Sequence, residues 1–268
     1  MRRLFVALGV AALMGVLAGC STVPITGRTQ LDLVPSSSLL SMSRDQYAQF
    51  LHEHKLGSDP AETRMVHDVG QRVARAVEDY LRGHQLAAAA AEFSWEFNLV
   101  NDKAANAWAM PGGKVVVYTG IMPVVKDESG LATVLAHEIG HVVARHGNER
   151  MSQALLAQFG GLALATALES KPQETQQLWM AAYGAGAQYG ILLPYSRLQE
   201  YEADKLGLVF MSMAGFDPSA AVAFWERMAA QNKGGAPPEL LSTHPTDANR
   251  IARIREFLPE ARTYRRPR

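Results

Sequence analysis

Two histidines four residues apart, with a glutamate between them, are the residues best placed to do chemistry: His137-Glu138-Ile139-Gly140-His141. They lie in LATVLAHEIGHVVARHG, whose apolar positions Leu131, Val134, Leu135, Ile139, Val142 and Val143 predict an amphipathic helix. On a helix, residues four apart are stacked neighbours with Cβ atoms ~5–6 Å apart, so both imidazoles can reach one metal ion at ~2.0–2.1 Å. Glu138 is turned ~100° from His137 and can face a metal-bound water without being a ligand. Zinc brings the pKa of such a water from ~15.7 toward ~7, and the carboxylate takes its proton as the water attacks a peptide carbonyl.

A catalytic zinc needs a third protein ligand. The segment Ser196-Arg197-Leu198-Gln199-Glu200-Tyr201-Glu202-Ala203-Asp204 offers candidates on another predicted helix. Glu200 and Asp204 share a face, so one can bind metal while the other braces a histidine. Glu202 is rotated away and is expected in solvent. His52, His54, His67, His84 and His146 have no ligand spacing to a second group and read as surface or packing residues. One zinc ion is the implied cofactor.

A different chemistry is suggested at the start of the chain. Arg2 and Arg3 precede an apolar run, Leu4 to Ala18, which is shorter than the ~20 residues of a spanning helix and fits an export signal. The run ends in Leu17-Ala18-Gly19-Cys20, which resembles a bacterial lipobox and makes Cys20 the candidate for lipidation. Cys20 is the only cysteine, so no intramolecular disulfide can form. The expectation is an exported, periplasm-facing protein held to a membrane through lipid on Cys20. Ser21 after that cysteine points to the outer membrane of a Gram-negative host.

Several elements must position the chemical residues. Residues 36–56 and 60–81 carry apolar stripes at helical spacing, the second opening with Pro60. Gly83 to Glu92 is alanine-rich and reads as a loose connection. Phe93–Val100 and Lys114–Thr119 have the aromatic and branched texture of strands, with a turn at Pro111-Gly112-Gly113. The segment Asn106–Val117 is expected to offer a strand edge on which an extended peptide could pair. Everything after Asp127 reads as helical. Ala154–Leu168 and Leu178–Leu193 are apolar and glycine-containing, but at about 15 residues each they are too short to span and are expected to pack on the core.

The fold class is therefore α+β, mostly α, a gluzincin-like HExxH domain with a small sheet bordering the cleft. The expected divisions are a leader at 1–19, a tether and lead-in at 20–35, a peptidase domain at 36–258 and a basic tail at 259–268. A hydrophobic fraction of 48% with 19% charged residues fits a globular chain. With 26 basic and 26 acidic residues, nothing suggests a nucleic-acid partner.

HEIGH followed about sixty residues later by SRLQEYEAD closely resembles the HtpX and CAAX-prenyl-protease group of zinc peptidases. The likeness is nearest to its compact bacterial lipoproteins, of the LoiP, YcaL and BepA types. PITGRTQLDLVP, NAWAMPGGKVVVYTGIM and STHPTDANRI look like further landmarks of that group. The resemblance implies that His137, His141 and Glu200 are zinc ligands, Glu138 the base and Asp204 an acidic residue sometimes assigned as proton donor. An orienting role is physically easier for Asp204, one turn beyond a ligand. His244 matches a histidine able to fill the metal's fourth position, and Arg250 an arginine that could stabilise an oxyanion; their bland readings are a loop histidine and a helix-capping arginine. BepA-like members carry a helical repeat domain after the peptidase, which is not expected here so soon after the late motif, and HtpX-like members carry spanning helices, which this chain is expected to lack. The implied activity is hydrolysis of unfolded or damaged envelope proteins. The rival is a zinc-stabilised chaperone or assembly factor that binds such clients without cutting them. A metal-dependent hydrolase of another substrate class also stays open.

Overall fold

A computed structural model describes residues 19–169, 173–187, 193–231, 239–244 and 249–265. Residues 1–18 of the expected leader, Pro245 of the late motif, and Arg266 and Arg268 of the tail lie outside them. In chain order the described elements are β1 (Cys20–Thr22), β2 (Thr29–Leu31), α1 (Ser36–Glu53), α2 (Pro60–Gly83), α3 (Ala87–Ala90), β3 (Glu96–Val100), β4 (Ala107–Met110) and β5 (Lys114–Tyr118). Then come α4 (Met122–Val125), α5 (Glu128–Val143), α6 (His146–Leu168), α7 (Gln173–Ala187), α8 (Leu193–Met213), α9 (Ala220–Ala230), α10 (Glu239–Thr243) and α11 (Arg250–Thr263). The fold is α+β and mostly helical, as its sequence implies.

The chain divides into two compact units, one of residues up to Leu39 with Arg145–Leu198, the other of Leu40–Ala144 with Gln199–Arg268. In the second unit, β3, β5 and β4 form a three-stranded sheet in that order. β3 runs parallel to β5, and β4 antiparallel to it, with Ala107 opposite Val117 and Met110 opposite Lys114. The turn between β4 and β5 places Gly112 and Gly113 at φ of 82° and 88°, a conformation that glycine adopts without strain. The expected strand edge at 106–117 is thus corrected. Val115, Val116 and Val117 are fully buried in the central strand, and only Ala107–Met110 lies at an edge. An all-branched run suits a strand covered on both faces.

α5 is more deeply enclosed than an amphipathic helix: every residue from Gly130 to Val143 is buried. Its start is fixed by Asp127, whose carboxylate accepts from Gly130 N at 2.8 Å. α2, β4 and α9 all pack on it. α2 is capped in the same way, Asp59 accepting from Ala61 N (2.7 Å) and Glu62 N (3.1 Å). α11 continues through Pro259 to Thr263 and buries Leu258 and Ala261.

In the first unit the lead-in is paired with itself and bonded to α6. β1 and β2 pair antiparallel. Arg28 holds Glu149 of α6 through two bonds of 2.7 and 2.8 Å. Leu33 N donates to Ser152 Oγ at 2.9 Å, and Asn148 Nδ2 donates to Val34 O at 2.7 Å. Buried polar groups need such partners, which is why the first turns of α6 can be both polar and buried. Beyond them the helix continues apolar and largely exposed. The expectation of a short core helix at 154–168 is corrected, because α6 is continuous for 23 residues and only 17% of its most apolar stretch is buried.

Candidate metal centre

Close approach of α5 and α8 builds the site. A Cβ added at Gly140 would lie 3.0 Å from Ala203 O, and one added at Gly207 would lie 3.1 Å from His137 N. Only hydrogen at these two positions lets the backbones come so near. That crossing sets His137 and His141 of α5 against Glu200 and Asp204 of α8.

His137, Glu138, His141, Glu200, Asp204, His244 and Arg250 are all buried. One ligand atom from each of His137, His141, Glu200 and His244 falls within 4.8 Å of the others. The separations are informative: His137 Nε2 is 3.2 Å from His141 Nε2 and 3.3 Å from Glu200 Oε2. His141 Nε2 is 3.3 Å from Glu200 Oε1. His244 Nδ1 is 3.3 Å from His137 Nε2 and 3.0 Å from Glu200 Oε2. Ligands ~2.0–2.1 Å from a tetrahedral zinc lie ~3.3–3.4 Å from one another. Three imidazoles and a carboxylate, with these pairs close to the edge lengths of that tetrahedron, fit one zinc ion.

The surrounding groups fix the ligands. Asp204 Oδ1 lies 3.0 Å from His137 Nδ1, the nitrogen pointing away from the cluster. Arg250 donates to the same carboxylate from Nε (2.7 Å) and Nη2 (2.6 Å), while Nη1 reaches His244 O at 3.5 Å. The guanidinium thus points its fork at Asp204. Burial alone would lower the His137 imidazole, but its bonds to Asp204 and Glu200 outweigh burial and raise it to about 9. Burial would raise Glu200, yet the charge of His141 and the bonds from three imidazoles hold it below the usual carboxylate range. Asp204 is likewise pushed up by burial and pulled further down by Arg250 and His137, which keeps it ionised.

Glu138 faces the same space, with Oε1 3.4 Å from His244 Nε2. His244 follows α10, whose Leu240 N donates to Ala105 O at 3.1 Å, while Asn106 Nδ2 donates to Glu239 at 3.0 Å. Those bonds attach His244 to the residues that lead into β4.

The family's sequence pattern matches residues 60–258, described as Peptidase family M48. The chain belongs to that family. M48 membership makes it a zinc metalloendopeptidase, in agreement with the donor set. The mitochondrial metalloendopeptidase OMA1 of Schizosaccharomyces pombe is 36% identical over 244 residues, covering 91% of this chain and 68% of its own. That of Saccharomyces cerevisiae is 41% identical over 180 residues, 62% of this chain and 48% of its own. The beta-barrel assembly-enhancing protease of Escherichia coli K12 is 28% identical over 239 residues, 87% and 46% respectively. The chain thus spans about half the length of the latter two.

Two expectations are corrected by these relatives. The likeness to the BepA type stands, in the beta-barrel assembly-enhancing protease, while the narrower likeness to compact lipoproteins of the LoiP and YcaL types gives way to OMA1. The exported, outer-membrane location is overturned, since the two fungal relatives are named as mitochondrial and the Escherichia coli protein is more distant than either. Cys20, the expected lipidation site, is an exposed thiol at the start of β1.

Glu202 is also corrected: it is 5% exposed, because α8 is enclosed on several sides and not only on the face of Glu200 and Asp204. Sequence reasoning missed Trp225 of α9. Its indole lies under Arg250, 3.4 Å from Cζ to the ring centroid, and stands edge-on to His137 at 5.9 Å. An apolar residue with no motif gives no signal of such a role.

Proposed function

We propose that the chain cleaves internal peptide bonds of unfolded or misassembled polypeptides, with His137, His141 and Glu200 holding zinc and Glu138 as general base. The observation that carries this reading is a buried carboxylate, Glu138, facing a cluster of three imidazoles and Glu200 that has the spacing of a zinc site. Zinc, when bound, supplies Lewis acidity that makes a water molecule acidic and polarises a carbonyl. Glu138 accepts the proton of the attacking water and returns it to the leaving amine. Asp204 keeps His137 in the tautomer that leaves Nε2 for the metal, and Arg250 keeps Asp204 ionised. The edge strand β4 offers backbone groups to an extended segment, which favours unfolded chain over a folded surface.

His244 is the resting fourth ligand in this proposal. Nδ1 takes the vertex a catalytic zinc leaves open, and Nε2 faces Glu138, so one ring covers both the metal and the base. A peptide pairing with β4 would disturb the bonds from α10 to Ala105 and Asn106 and withdraw the ring. The same closed donor set favours one other reading, a structural zinc in a protein that binds clients without cutting them. Incubation of a reduced, unfolded protein with the full chain and with Glu138→Gln, zinc content being measured in both, separates the two. Cleavage by the unsubstituted chain only, at equal zinc content, supports the peptidase; no difference between them rejects Glu138 as base.

A further inference from the structure

The two edges of the β3–β5–β4 sheet are not equivalent. Along β3, Leu56 bridges Val100, Gly57 N donates to Leu99 O at 2.8 Å and Asn101 N to Lys55 O at 2.8 Å. Among the described residues no strand pairs with the outer side of β4. Unpaired backbone groups along such an edge are what an extended segment joins. The bond from Tyr118 N to Asn106 O, at 3.0 Å, sets the alternation along β4. It makes Trp108 and Val116 the next hydrogen-bonded pair and turns the backbone groups of Ala109 outward.

The two faces of the sheet differ as well. By register, Phe97, Leu99, Val115, Val117, Ala107 and Ala109 share one face. Phe97 meets Gly70 of α2 there, and α2 packs on α5. This is the face of the metal-binding helix, and along β4 it carries only two methyl groups. Trp108 and Met110 lie on the opposite face, half-buried with Phe50 of α1 against Tyr47, Val116 and Tyr118. The Trp108 ring stands edge-on to Phe50 at 4.8 Å and to Tyr47 at 6.4 Å. Its Nε1 donates to Tyr118 Oη at 3.3 Å, so the surface that the indole still presents is carbon.

A segment lying antiparallel to β4 meets Trp108 in the pairing that lacks hydrogen bonds. There Cα atoms approach to ~4.5 Å and opposed side chains are in closest contact. We infer that Trp108, with Phe50 and Met110 beside it, is a specificity subsite that takes an aromatic or large aliphatic side chain of the substrate. The inference rests on the reading of β4 as the edge to which substrate pairs. Residues on either side of the selected one point past Ala107 and Ala109 towards α5. The backbone of the segment is therefore held without regard to sequence, while one side chain in two is read.

The test is cleavage of a randomised peptide library by the full zinc-loaded chain, with cut sites identified by mass spectrometry. It is followed by kcat/KM for two peptides that differ only in Phe or Ala at the selected position. Aromatic residues, Leu and Met should be enriched at one fixed distance from the cut. The Phe peptide should be favoured by about two- to fivefold, the size of one cross-strand aromatic pair. Trp108→Ala should bring that ratio towards one, with zinc content unchanged. Equal loss on both peptides would make Trp108 a structural residue and overturn the inference. If Trp108→Ala does not fold, Phe50→Ala on α1 takes its place, and an unchanged ratio then overturns it. A dimer that Trp108→Ala dissociates while the ratio stays fixed would also overturn it, since a second copy would then cover the ring. Cleavage without any bias in the library rejects the subsite alone; no cleavage by the unsubstituted chain rejects the peptidase reading and the subsite with it.

Discussion

Arg250 grips Asp204 with two bonds, Nε to Oδ2 at 2.7 Å and Nη2 to Oδ1 at 2.6 Å, and both residues are buried. Asp204 in turn meets His137 Nδ1 at 3.0 Å. The metal centre therefore rests on an arginine from a helix that contributes no ligand.

Arg250→Lys keeps the charge but loses the fork that matches a carboxylate. Zinc affinity should fall ~10–100-fold, the range for loss of a group that orients a ligand. Competition against a zinc chelator measures it, and unchanged affinity would show that Asp204 needs no clamp.

Trp225→Leu removes the ring beneath the guanidinium, an interaction of about 2 kcal/mol when desolvated. Trp225→Phe keeps a ring there and should lose less. Chemical denaturation of the two variants at fixed zinc should rank them in that order; equal losses would make the contact mere packing.

Glu200→Gln should cost most of the bound zinc, whereas Glu202→Gln should retain it. Glu202 is buried, but no atom of it belongs to the cluster of four. Metal analysis of the purified variants decides, and the reverse order would reassign the carboxylate ligand.

Gly207→Ala places a methyl 3.1 Å from His137 N and 3.3 Å from Ala136 C, which forces α8 away from α5. Overpacking of this kind costs about 1–3 kcal/mol. Thermal unfolding should register that loss, and zinc affinity should drop with it because the ligands sit on both helices.

His244→Ala opens the fourth vertex and uncovers Glu138. Basal cleavage of an unfolded protein should rise with zinc retained. Lost activity at full zinc content would instead give His244 a part in the reaction.

What the sequence determined is local. The α-helical rotation puts His137 beside His141 and Glu200 beside Asp204 whatever surrounds them, and Asp127 and Asp59 cap their helices through neighbours in the chain. The tertiary structure decided everything that depends on which surfaces meet. Period and propensity could not tell that Val115–Val117 would be the middle strand rather than an edge, since parallel pairing with β3 is a long-range choice. Nor could they show that Glu202 would be covered, that α6 would run unbroken past its polar first turns, or that Trp225 would lie under Arg250. His244 comes within 3.3 Å of His137 across 107 residues of chain, and only packing fixes a contact whose two ends share no local geometry.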